Sequence, residues 1–277
     1  MTEFDSGKGH TDENFPVASW LIRPELRAPI LTFYRFARAA DDIADHETAS
    51  AETKLAQLAW MRSGLDGEGA PEAMALGRVQ RERGIDPAHA NELLDAFVQD
   101  VTKHRYADWD DLIAYCRLSA MPVGRFVLDV HGEDRATWPA NDALCGALQV
   151  INHLQDCKKD YLNLGRAYIP EPLLERSGLT VGALGGDHAP PALRQIIADL
   201  ARQTQGLLRQ SKGFARQIRD PRLAAEVAVI QRLAENLCRG LIERDPLRDQ
   251  VHHSKTRAAL LAGGALVSHA FTRLARR

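Results

Sequence analysis

The sequence predicts an all-α fold, and three observations carry that prediction. Apolar residues recur with a period near 3.6, strand-like alternation is nearly absent, and prolines fall where helices would begin. Of the 277 residues, 45% are hydrophobic and 26% charged, enough apolar material to bury a sizeable core.

The elements follow in order. Pro29 suits the first turn of a helix running through ILTFYRFARAADDIADHE. On that helix Ile30, Phe33, Tyr34, Ala37, Asp41, Ala44 and Asp45 fall on one stripe, so two carboxylates continue an apolar face. Glu52–Leu65, Pro71–Gly84 and Pro87–Lys103 form three further helices, with a loop at Asp66–Pro71. Asp108–His131 is a long apolar helix that Pro122 should kink, because proline lacks a backbone donor and its ring crowds the preceding turn. Trp138–Asn163 follows, then an irregular Gly165–Gly186 with a short helix. Pro191–Ile218 and Pro221–Arg244 pair, and Ser254–Arg276 is the last helix. No repeat or linker is evident, so one domain over 13–277 after a flexible 1–12 segment is the simplest organisation.

A formal net charge of −2 gives no global basic excess for nucleic acid. The last 30 residues are basic, ending in Arg273, Arg276 and Arg277; they form either a solvated helix end or a contact for anionic phosphate or a membrane surface. Cys116, Cys145, Cys157 and Cys238 lack metal spacing, as expected of reduced thiols in a cytoplasmic protein. The polar start has no signal-peptide core, and Ala258–Val267 is too short to span a bilayer. A soluble protein, at most peripheral at the inner membrane face, is expected.

Asp41 and Asp45 lie one helical turn apart, and like charges at that spacing repel. Arg38, four residues before Asp42, offsets part of that charge. In QVINHLQDCKKDY, Gln149, Asn152, Asp156 and Asp160 form a polar ridge bordered by Leu148, Ile151 and Leu154. Oxygen donors set into apolar surroundings suit a hard cation such as Mg²⁺, which takes a few carboxylates, waters and phosphate oxygens. Two solvated helix faces remain the alternative at this point. GALGGDHAP has no strand before it and is a loop, not a nucleotide site. His252-His253 lacks ligand partners and is expected at the surface; His153, one position from Asn152, is expected to pack.

Four segments together resemble the squalene/phytoene synthase family over residues 14–257, and within it the hydroxysqualene synthase branch of bacterial hopanoid biosynthesis. FYRFARAADDIAD is similar to the family's Arg–x–x–Asp–Asp–x–x–Asp signature, and the second cluster to its Gln–x–x–Asn–x–x–x–Asp–x–x–x–Asp. YCRLSAMPVG (Tyr115–Gly124) resembles the kinked helix lining a prenyl tunnel, and GRAYIP (Gly165–Pro170) the GR-x-Y-x-P segment. The resemblance implies a single-domain isoprenoid synthase helical bundle around a central prenyl cavity. It implies Mg²⁺ on Asp41, Asp45, Asp156 and Asp160, diphosphate contact from Arg38, and support from Asp42. Gln149 and Asn152 would join the substrate site, Ala120, Val123 and Gly124 would line the tunnel, and Tyr115 would place a hydroxyl near the reacting cation.

Three departures bear on the reaction. The family's His-Ser-Lys-Ser-Phe is here Thr11-Asp12-Glu13-Asn14-Phe15, and Gln155 and Gln250 stand where arginines are usual. Arg248, Lys255 and Arg257 are candidate compensating cations. Fewer phosphate donors fit presqualene diphosphate, with one diphosphate, leaving as hydroxysqualene for a downstream reductase. The alternatives are condensation of two farnesyl diphosphates, with two diphosphates, and a non-catalytic scaffold of the same fold.

Overall fold

A computed structural model describes residues 21–274, which are all-α: the structure is 77% helical, with no strand among the described residues. The chain forms two compact units.

Among the described residues, the first unit holds residues 21–103 together with Arg117–Arg135. Its elements are α1 (Pro24–Ala44), α2 (Ala51–Asp66), α3 (Pro71–Arg83), α4 (Ala88–Thr102) and α6 (Met121–Val130). Helix α1 packs on the other four. The expected start at Pro29 is corrected: Pro24 occupies the first turn, and Pro29 is buried inside the helix. The core stripe is also corrected. Phe33, Phe36, Ala40 and Ile43 are buried, whereas Tyr34, Ala37, Asp41 and Asp45 lie half-buried beside them. Phe33 stacks on Phe126 of α6 at 4.2 Å. Helices α2 and α3 meet backbone to backbone, since a Cβ on Gly77 would lie 2.1 Å from the Leu65 carbonyl oxygen.

The second unit holds His104–Cys116 and residues 136–274. The boundary therefore falls within α5 (Trp109–Ser119). The expected 108–131 helix is two helices, broken at Ala120, with Pro122 in the first turn of α6 as its missing donor requires. The expected 138–163 helix is likewise two, α7 (Trp138–Gln155) and α8 (Cys157–Leu164), with Asp156 between them. Short α9 (Glu171–Arg176) and a 3₁₀ turn (Val181–Gly185) fill the irregular stretch. Helix α10 (Pro191–Gln210) passes through a 3₁₀ turn (Ser211–Gly213) into α11 (Phe214–Gln217). Helix α12 (Pro221–Glu243) packs on α7, α10, α11 and α13 (Lys255–Leu274). Asp220 caps α12, accepting from the backbone N–H of Arg222 and Leu223. Among the described residues no helix is long and apolar enough to cross a membrane.

Candidate active site

Asp41 and Asp42 occupy the last turn of α1, and Asp45 follows as its C-cap. No basic residue lies in that turn. A helix C-terminus carries partial negative charge and ordinarily favours cations, so three acids there are electrostatically costly. Arg38 answers part of that charge. Its Nε donates to Asp42 Oδ1 at 2.9 Å, its Nη2 bonds the same oxygen, and its Nη1 lies 2.9 Å from Asp41 Oδ2. Asp42 is buried and held by this fork. The Asp41 carboxyl is pushed up to about 7, first by burial and then by Asp45. Asp100 and Asp42 add to the push and Arg38 opposes it.

Asp100, buried on α4, was missed in the sequence. It follows Leu93 and Phe97 at helical spacing, the same acid-on-an-apolar-stripe signal that singled out Asp41. In this unit Ala120 is buried at the head of α6, Val123 is exposed and Gly124 half-buried.

In the second unit Gln149, Asn152, Asp156 and Asp160 are all half-buried along α7 and α8, beside buried Val150, Ile151 and Leu154. Asp156 is the C-cap of α7, its N–H donating to the Asn152 carbonyl at 2.9 Å. Asp160 lies in the first turn of α8, where the helix end is partly positive. Gln155 is buried and its Nε2 donates to the Val251 carbonyl. The residue at the usual arginine position thus ties α7 to the segment after α12.

Tyr115 is buried in an aromatic cluster. Its ring lies 5.6 Å from Tyr106, 5.7 Å from Tyr168 and 5.8 Å from His153. His153 packs as expected, stacked on Tyr168 at 3.5 Å, and burial, with the charge of Arg166 adding, pulls it down to about 3. Tyr106 and Tyr168 were not singled out beforehand. GRAYIP lies against the chain at 104–106: Ala167 N–H donates to the His104 carbonyl and Glu171 N–H to that of Tyr106.

The 11–15 segment lies outside the described residues. Gln250, Arg248, Lys255 and Arg257 are exposed. The surface expectation for the histidine pair is corrected at His253, which is half-buried and bonded to Asn236 Oδ1 at 3.0 Å. No group of three or more His, Cys, Asp or Glu side chains among the described residues forms a ready metal cage. Mg²⁺ asks for less, one or two carboxylates completed by water and substrate phosphate, and the acid-rich end of α1 fits that donor set.

A family model described as squalene/phytoene synthase matches residues 8–257. The chain belongs to the squalene/phytoene synthase family. It is 54% identical over 271 residues to the hydroxysqualene synthase of Zymomonas mobilis, covering 96% of this chain and 91% of that one. It is 51% identical to the hydroxysqualene synthase of Rhodopseudomonas palustris, covering 96% and 92%. Among solved structures it is similar to squalene synthase HpnC from Alicyclobacillus acidocaldarius, with TM-score 0.72 at 31% identity over 82% of this chain and 87% of that chain. A dehydrosqualene synthase shares the fold at TM-score 0.75 and 21% identity, over 93% and 92%. This member of the squalene/phytoene synthase family is therefore an enzyme of that all-α fold.

Proposed function

We propose that the enzyme converts presqualene diphosphate to hydroxysqualene with loss of diphosphate, in a Mg²⁺-dependent reaction of hopanoid biosynthesis. The observation that carries this reading is the acidic end of α1, where Asp41, Asp42 and Asp45 gather within five residues and Arg38 bonds Asp41 and Asp42. Asp41 and Asp45 form one ligand pair and Asp156 and Asp160 the other. These carboxylates would hold Mg²⁺, which when bound would supply positive charge to the departing diphosphate oxygens. The names of the relatives from Zymomonas mobilis and Rhodopseudomonas palustris, both hydroxysqualene synthases, support the product.

The residues' tasks follow from their chemistry. Arg38 supplies donors that match phosphate oxygens bidentately. Gln149 and Asn152 offer neutral amides beside the charged pair. Loss of diphosphate leaves a cyclopropylcarbinyl cation, which rearranges to the 1–1′ linked C30 skeleton. The π-face of Tyr115, buried with Tyr106 and Tyr168, suits a passing cation. Water then adds its oxygen to the carbon and gives up one proton. With its amide bonded to Val251, Gln155 offers no positive charge to a second diphosphate, which favours the one-diphosphate substrate over two farnesyl diphosphates.

The enzyme should be incubated with Mg²⁺ and purified presqualene diphosphate or farnesyl diphosphate, with lipids read by mass spectrometry. Hydroxysqualene from presqualene diphosphate is expected. Product formed from farnesyl diphosphate alone would move the enzyme to the condensing reaction, and no product from either would favour a scaffold.

A further inference from the structure

Helix α13 has an apolar face turned to solvent. Leu260, Val267 and Phe271 are 78%, 58% and 69% exposed and follow at steps of seven and four, so they form one stripe. Gly263 and Gly264 lie along it, also exposed. The opposite side of the helix, with Ala265 buried, packs on α12. Scattered exposed apolar residues are ordinary, but an aligned row of them on a 20-residue helix calls for an occupant.

Charge says which occupant. From Gln250 to the end there are five cations, Lys255, Arg257, Arg273, Arg276 and Arg277, and no acid. With a net charge of −2 for the whole chain, the residues before that segment carry −7. Next to α13 a groove of about 500 Å³ opens along α11 and α12. Leu260, Leu261, Val227 and Ala228 supply apolar lining, and Lys212, Arg216 and Arg232 bring positive charge with Glu235 as the acidic member. The three cations are exposed. An apolar row flanked by cations suits a surface that is oily inside and anionic outside.

We propose that α13 and this groove dock on an anionic lipid bilayer, the apolar stripe entering the headgroup–acyl boundary while the cations meet lipid phosphates. The helix lies on the membrane and does not span it. A second copy of the chain is a poorer occupant, because a two-fold contact through this stripe would set the same cations opposite themselves.

The full chain should be sedimented with phosphatidylcholine vesicles with and without 30% phosphatidylglycerol, on the order of 0.1 M salt, without substrate. The outcome is thus independent of which diphosphate the enzyme uses. Binding to anionic vesicles is expected, weakened roughly tenfold or more by Lys212→Gln with Arg216→Gln, since each surface cation matters at about that scale. Leu260→Glu with Phe271→Glu should abolish it at unchanged helical circular dichroism; if that pair misfolds, the glutamine pair decides. The proposal is overturned by absent binding, by equal binding to both vesicle types, or by light scattering that shows a dimer made monomeric by the glutamate pair.

Discussion

Replacing Asp41 by asparagine should stabilise the metal-free protein and abolish turnover. Raising a carboxyl from 3.8 to about 7 disfavours its ionised form by about 4 kcal/mol, at roughly 1.4 kcal/mol per pH unit. The side chain keeps 35% of its surface exposed, so solvent screening lowers that figure, and about 1–2 kcal/mol is the expected scale. The folded state holds the proton more tightly than the unfolded state. Stability of the metal-free protein therefore falls as pH rises from about 4 to about 7, and is flat above. Asparagine keeps the shape and removes the charge. Urea denaturation in EDTA should show the Asp41→Asn variant more stable by about 1–2 kcal/mol at pH 8, with a smaller gain at pH 5. Turnover with Mg²⁺ should drop on the order of a hundredfold or more. A variant no more stable at pH 8, or equally stabilised at both pH values, would refute the account of a carboxylate disfavoured by burial and neighbouring acids; near wild-type turnover would refute the metal assignment.

The other predictions are briefer. Asp156→Asn should likewise remove turnover while the helical circular dichroism spectrum stays near native; retained activity would strike that residue from the ligands. Gly77→Ala should cost about 3 kcal/mol, because its methyl would lie 2.1 Å from the Leu65 carbonyl oxygen and α2 and α3 would have to part. Thermal melting that leaves Tm unchanged would show that the helices yield freely. His153 titrates near 3 in the fold and near 6.5 when unfolded, so it contributes stability above about 6.5 that is lost as pH falls toward 3. His153→Phe should flatten the stability profile across that window, and an unchanged slope in denaturation from pH 7 to 4 would contradict it.

The helices were legible because apolar period and prolines are local signals. Boundaries were less so. Pro29 looked like a start because Pro24, five residues earlier, follows no obvious cap, and the break at Asp156 leaves no proline or glycine to mark it. The aspartates were readable from spacing and resemblance. Their electrostatic setting was not, since Asp100 reaches Asp41 from a different helix. The tyrosines illustrate the same limit: Tyr106 and Tyr168 are 62 residues apart in sequence, yet their rings stack at 5.4 Å. In the sequence Gln155 is only an absent arginine, and its bond to Val251 reveals the structural task that replaced it.

The fork of Arg38 has a final consequence. Its N–H groups are engaged by Asp41 and Asp42 on its own helix, so a diphosphate meets them only in competition with those carboxylates. On the proposed reading, a cation on Asp41 would take over the charge that Nη1 now offsets and loosen that claim. Cation and anion would then favour one another's arrival, and such linkage runs equally in both directions. One turn of helix would couple loading of a metal to capture of the leaving group.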